Sequence, residues 1–178
     1  MTEIYLIDPE LVKQITNVSD NLEGKVLGPA IIEAGNALRD IVGDALCDKL
    51  EELVVNEEIN LDENINYKLL LDKAQYFLAY TAAANVTVLT AVKVDNFGVS
   101  RSTDEHIESL SLSDVFTISE HYQKKADEYC GKLQNWILKN KKKFPELTEN
   151  QCNDIKANLY SAASCGIWLG GVRGKKTR

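Results

Sequence analysis

Proline and glycine are scarce: three prolines (Pro9, Pro29 and Pro145) and ten glycines serve 178 residues. So few breakers leave long uninterrupted segments, which favours helices. Histidine is scarcer still, with His106 and His121 alone. Two isolated histidines cannot be assembled into a triad, and no serine sits in a nucleophile-elbow setting. His106 lies in Asp104-Glu-His-Ile-Glu108, which offers metal-capable atoms but no second His or Cys three or four residues away. The four cysteines, Cys47, Cys130, Cys152 and Cys165, form no CxxC pair and no zinc spacing. They are too sparse for a stapled secreted domain and read as reduced packing residues. Gly170-Gly-Val-Arg-Gly174 stands too near the end to open a helix, which excludes a phosphate loop. The first residues, MTEIYLIDPE, lack the charged head and apolar run of a signal peptide, so synthesis and folding in a cytoplasm are expected. No catalytic, cofactor-binding or metal-binding residue is expected, and the protein reads as a non-enzyme.

Against these absences stands one dominant presence, the stretch Tyr67 to Val94. From Tyr76 onward it is apolar except at Thr81, Asn85, Thr87, Thr90 and Lys93, and no Gly or Pro interrupts it. It is too long for a strand and predicts a helix of roughly seven turns, apolar on nearly every side and therefore covered all round. Asn85 and the three threonines count against membrane insertion. Its alanines (74, 79, 82, 83, 84 and 91) are close-packing positions, within one subunit or against another.

Composition is that of a globular domain, 44% hydrophobic and 26% charged. The formal net charge of −7 disfavours nucleic acid and anionic membranes as partners. The distribution is uneven. Asp44, Asp48, Glu51, Glu52, Glu57, Glu58, Asp62 and Glu63 follow one another with only Lys49 among them, whereas Arg173, Lys175, Lys176 and Arg178 end the chain with no acid between them.

In order, Ile4–Ile7 predicts an extended arm or strand, and Asp8-Pro9 caps a short helix, Pro9–Asn17. A long helix from Lys25 or Pro29 to Val55 carries Leu27, Ile31, Ala34, Leu38, Ile41, Val42, Ala45, Leu46, Leu50 and Leu53 at helical spacing. Ala34, Gly35 and Gly43 leave room for a close backbone, and Gly43 is a candidate kink. Its acids read mainly as a solvated face. The polar loop 56–66 leads to the central helix, capped by Asn64 or Asn66 and ending near Asn96–Gly98. In the long irregular stretch Asn96–Ser113, Val99, Ile107, Leu110 and Leu112 predict partial packing or a hairpin. Ser113 is expected to cap a third long helix with Val115, Ile118, Tyr122, Tyr129, Leu133, Trp136 and Ile137 as its stripe; Lys139 and Lys141–Lys143 match its dipole. Thr148-Glu-Asn-Gln151 has capping-box spacing for a last helix to about Ala163. The fold class is all-α: three long helices, shorter N- and C-terminal helices, and one long loop before the third long helix. The expected division is an N-terminal arm and short helix (1–24), a helical domain (25–163) and a flexible basic tail (164–178).

Several motifs in this order resemble a known family. They are Ile32-Glu-Ala34 with Asp40-Ile-Val-Gly-Asp-Ala-Leu46, the Ala-rich helix Ala74–Val92 and Phe97-Gly-Val99. Glu120-His-Tyr122 with Ala126–Tyr129, Trp136-Ile-Leu-Lys-Asn140 and Gly170-Gly171 follow. From about residue 25 to 172 the chain resembles the head–tail connector (adaptor) proteins of bacteriophages and prophages, as in crAss-like phages of gut bacteria. The resemblance implies a structural virion protein at the neck, made in the host cytoplasm. It forms a ring with itself, usually a dodecamer, beneath the portal protein, extends the DNA channel and docks tail or further neck proteins. DNA only passes through, and no membrane is involved. The loop 96–113 and the tail 168–178 are the positions for its contacts, with Phe97, Val99, Arg101, Ile107, Leu110, Trp168, Arg173, Lys175, Lys176 and Arg178 as interface residues. The alternative is a non-viral helical interaction or regulatory protein.

Overall fold

The computed structural model describes residues 4–95, 98–101 and 111–148, with Cys152 and Ile155. The fold is all-α, with a two-stranded ribbon as its only sheet among those residues. Residues 4–7 form no strand, yet Leu6 and Ile7 are buried in the core. Helix α1 spans Pro9–Ile15, and the Asp8 carboxylate accepts the Glu10 amide at 2.8 Å.

The predicted second helix is two. Helix α2 runs Gly24–Val42 and α3 runs Asp44–Val55, divided at Gly43, whose φ of 84° and ψ of 159° are a glycine conformation. Leu27, Ile31, Ala34, Leu38 and Val42 line the buried face of α2, continued by Leu46, Cys47, Leu50 and Leu53 on α3. Ala45 is exposed, a departure from the predicted stripe. Among the described residues nothing comes within 4 Å of a Cβ added at Gly35; the close approach is at Gly28, where an added Cβ would stand 2.7 Å from the Tyr5 hydroxyl. Arg39 ties the elbow together: it donates to Asp48 and, at 2.8 Å, to Glu51, with Asp44 3.6 Å away. Three of the acids read as solvated are thus grouped around one cation.

Two single 3-10 turns, Glu58–Asn60 and Asp62–Asn64, lead into α4, Ile65–Ala91. Asn64 does not cap it; its amide donates to the Glu58 carbonyl at 2.9 Å. Helix α4 is the axis, packed on α1, α2 and α5. Leu70, Ala74, Leu78, Ala79, Ala82 and Ala83 are fully buried. The alanine positions 74–84 are therefore covered within the subunit, and Phe77 and Val86 extend the same core. No helix among the described residues is long and apolar enough to cross a membrane.

The helix ends earlier than Asn96, because the alternating Val92-Lys-Val-Asp95 leaves as β1. It pairs antiparallel with β2, Gly98–Arg101, in the register Val92↔Arg101 and Val94↔Val99. Helix α5, Leu112–Asn140, then returns along α4. Its cap is Ser111 rather than Ser113. Ser111 Oγ accepts the Asp114 amide at 3.1 Å and Asp114 accepts the Ser111 amide at 3.3 Å, a reciprocal capping box. Val115, Ala126, Leu133, Gln134 and Ile137 are buried; Ile118, expected in that stripe, is exposed. A 3-10 turn, Lys141–Lys143, ends in buried Phe144. The predicted last helix lies mostly outside the described residues, though Cys152 and Ile155 are helical and buried.

Candidate interaction surface

Antiparallel pairing of α4 and α5 builds a seam of tyrosines. Tyr76 and Tyr80 are one turn apart on α4, and Tyr122 and Tyr129 are two turns apart on α5, so all four face the groove between the helices. Tyr129 stacks on Tyr76 (5.0 Å between centroids, 14° between planes) and on Tyr80 (5.6 Å, 10°). Tyr122 lies 6.3 Å from Tyr80, and Lys132 Nζ sits 4.5 Å over the Tyr129 ring. Such pairs add about 0.5–1.5 kcal/mol each beyond the area they bury. Beside the seam opens a cleft of about 320 Å³ lined by Asp72, Lys73, Tyr76, Tyr129, Lys132, Leu133 and Trp136. A second, of about 470 Å³, lies toward α1, with Ile15, Asn17, Tyr80, Ile118, Tyr122 and exposed His121 among its walls.

Large apolar side chains are exposed at both ends of this helix pair. Leu89, Leu112 and Phe116 stand at the ribbon end, Phe116 at 52% exposure. Val55, Leu61, Ile65 and Leu69 are exposed where α3 runs into α4. Leu69 and Leu89 are separated by roughly 30 Å along the helix axis.

At the α4 start the phenol of Tyr67 donates to Glu146 Oε1 at 2.6 Å, and its ring meets Phe144 edge-on at 5.7 Å. Glu146 Oε2 is buried with no partner among the described residues. Burial first, then the bond to the Glu146 carboxylate and its negative charge, push the Tyr67 phenol up to about 12. Burial likewise pushes the Cys47 thiol up to about 12 and Cys130 up to about 11. All three folded values lie above the ordinary ones, so their stabilisation is complete below about pH 9 and is lost as pH rises through 9–12. Urea midpoints should therefore fall steadily above pH 9. Tyr67→Phe should be less stable at neutral pH by about 1–2 kcal/mol, since it strips a donor from Glu146, and should show a shallower decline above pH 10. Equal slopes for the two proteins would remove Tyr67 from this linkage.

Of the interface residues expected from sequence, Val99 and Arg101 lie on β2, opposite Val94 and Val92. Phe97, Ile107, Leu110, Trp168, Arg173, Lys175, Lys176 and Arg178 lie outside the described residues, as does His106. No group of three or more metal-capable side chains occurs among the described residues. The surface missed by sequence reading comprises the tyrosine seam and the two exposed apolar ends. The pairs Tyr76/Tyr80 and Tyr122/Tyr129, at helical spacings on facing helices, are the signal that could have found the seam.

Fold and surface together define an all-α domain built on a long antiparallel helix pair, with an aromatic cleft and exposed apolar side chains toward both ends. The chain belongs to DUF6712, a family of unknown function, whose model matches residues 38–157, about two thirds of its length. No curated protein and no solved structure matches it.

Proposed function

We propose that this protein is a structural virion subunit, a head–tail connector that assembles with itself into a ring beneath the portal. The observation that carries the reading is a pair of unlike surfaces on one helix hairpin. One is the apolar projection of Leu89, Leu112 and Phe116, and the other is the cleft walled by Tyr76, Tyr129 and Trp136. A ring needs a head-to-tail contact, and that requires two different complementary patches on every subunit. A projection and a cleft on the same rigid pair satisfy this, with Phe116 of one copy entering the cleft of the next. The motif order from about residue 25 to 172 supports the assignment to connectors. In this reading the acidic balance lets DNA slide without adhering.

The test is complementation. Phe116→Asp and Tyr76→Glu each remove one side of the contact, and neither side chain is in the core. Each variant alone should fail to close a ring, while an equal mixture should give a two-subunit species through the one intact contact. Rings of unchanged size from either variant would overturn the projection-and-cleft contact. A cellular, non-viral partner captured by wild type, with no affinity for a portal protein, would favour a regulatory interaction protein instead.

A further inference from the structure

A third surface is used by neither the fold nor the proposed ring contact. Where α3 gives way to α4, Val55, Leu61, Ile65 and Leu69 are exposed between 39% and 57%. The acids Glu57, Glu58, Asp62 and Glu63 stand around them, all exposed. Among the described residues no lysine or arginine lies within ion-pair distance of these four; the nearby Lys49 pairs with Glu52 at 2.8 Å and feels the charge of Glu58 from further off. The result is an apolar face with an anionic rim that makes no ion pair among the described residues.

The same chain holds a segment of matching chemistry. Residues 164–178 contain Ile167-Trp168-Leu169, then Arg173, Lys175, Lys176 and Arg178, with no acid. An apolar triplet followed by four cations is the complement of an apolar face with an acidic rim. The chain also passes this end of the molecule shortly before the last described residue, Ile155. Phe144 packs on Tyr67 and Glu146 accepts the Tyr67 phenol, which places residues 144–146 beside the first turn of α4, where Ile65 and Leu69 sit. Twenty-three residues follow Ile155 (178 − 155), a reach of up to about 75 Å when extended. Helix α4 is only about 40 Å long, so the distance imposes no obstacle.

We infer that the C-terminal segment 164–178 docks on the Val55–Leu69 face of its own chain, Trp168 against the apolar side chains and the basic residues on the acidic rim. Tethering favours the chain's own segment over that of a second copy, because a short tether gives a local concentration near 1 mM, above ordinary protein concentrations. The inference is independent of the ring reading.

Hydrogen exchange tests it in the full-length chain, at concentrations where the protein sediments as a monomer, so the result stands whether or not rings form. Two variants disrupt the segment: Trp168→Ala, and the four-fold Arg173→Glu, Lys175→Glu, Lys176→Glu, Arg178→Glu. Amides of residues 58–69 should exchange several-fold faster in both, because a segment held at a local concentration of ~1 mM keeps even a weak contact largely closed. Residues 133–137 in the core of α5 should not change, which reports an intact fold. Salt at about 0.5 M should accelerate exchange in wild type toward the variants, and dilution should have no effect. Equal exchange in wild type and both variants would overturn the inference, and protection that disappears on dilution would assign the face to a second copy. In a second measurement, a benzophenone side chain in place of Trp168 should cross-link within the chain to residues 55–69; links confined to other regions would equally overturn it.

Discussion

Replacing Leu78 with alanine should lower stability by about 2–5 kcal/mol, the cost of lost transfer energy plus the cavity left behind. Leu78 is fully buried near the middle of α4 and belongs to the single core that α1, α2, α4 and α5 share. Its neighbours Ala74, Ala79 and Ala82 have no side chain long enough to fill the space. Against a total of about 5–15 kcal/mol for an ordinary domain, this is a large fraction. The urea midpoint should drop with little change in slope. The control on the same helix is Leu89→Ala: Leu89 is exposed, and its loss should change stability by no more than about 0.5 kcal/mol. Similar costs at the two positions would mean that α4 is not the axis of the core.

The second large effect is expected at the elbow. Gly43 holds φ 84° and ψ 159°, a region where a Cβ clashes with the backbone, so Gly43→Ala should cost about 1–3 kcal/mol. Gly35 is the opposite case. It lies inside α2 with nothing among the described residues within 4 Å of an added Cβ, so Gly35→Ala should stabilise by about 0.5–1 kcal/mol. The opposite signs at two glycines of one predicted helix are read by thermal or urea unfolding. An alanine tolerated at both would indicate that α2 and α3 are a continuous helix. The Arg39 cluster acts at the same place, because the guanidinium reaches Asp48 and Glu51 only when the chain turns at Gly43.

Much of this architecture is legible in the residues, because long apolar periodicity survives any detail of packing. The run from Tyr76 to Ala91 could only be a helix, and its alanines meet protein within the subunit. The Asp8-Pro9 start is equally local, and so is Gly43. What sequence leaves hidden depends on contacts distant in the chain. Ser111 and Ser113 are both competent caps three residues or fewer before an acid; the Asp114 carboxylate returning to Ser111 decides between them. Ile118 is apolar at helical spacing but stays exposed in the wall of the cleft toward α1, since Ala126 and Leu133 set the face that is buried against α4. Val92 and Val94 continue an apolar run that reads as helix, and only their pairing with β2 makes them a strand. The acids after Asp44 look uniformly solvated until the elbow brings Asp44, Asp48 and Glu51 to Arg39 and leaves Glu57–Glu63 around an apolar face. The spacings of Tyr76/Tyr80 and Tyr122/Tyr129 point to the seam, but the cleft beside it is fixed only by the pairing of α4 with α5.

The ring is the claim that most depends on those surfaces, and mass measures it directly. Native mass spectrometry of the wild-type protein, alone and with a cognate portal protein, should give a closed oligomer; twelve copies of the 19.9 kDa subunit weigh about 240 kDa. A 19.9 kDa species at every concentration, with no association with the portal, would contradict the account.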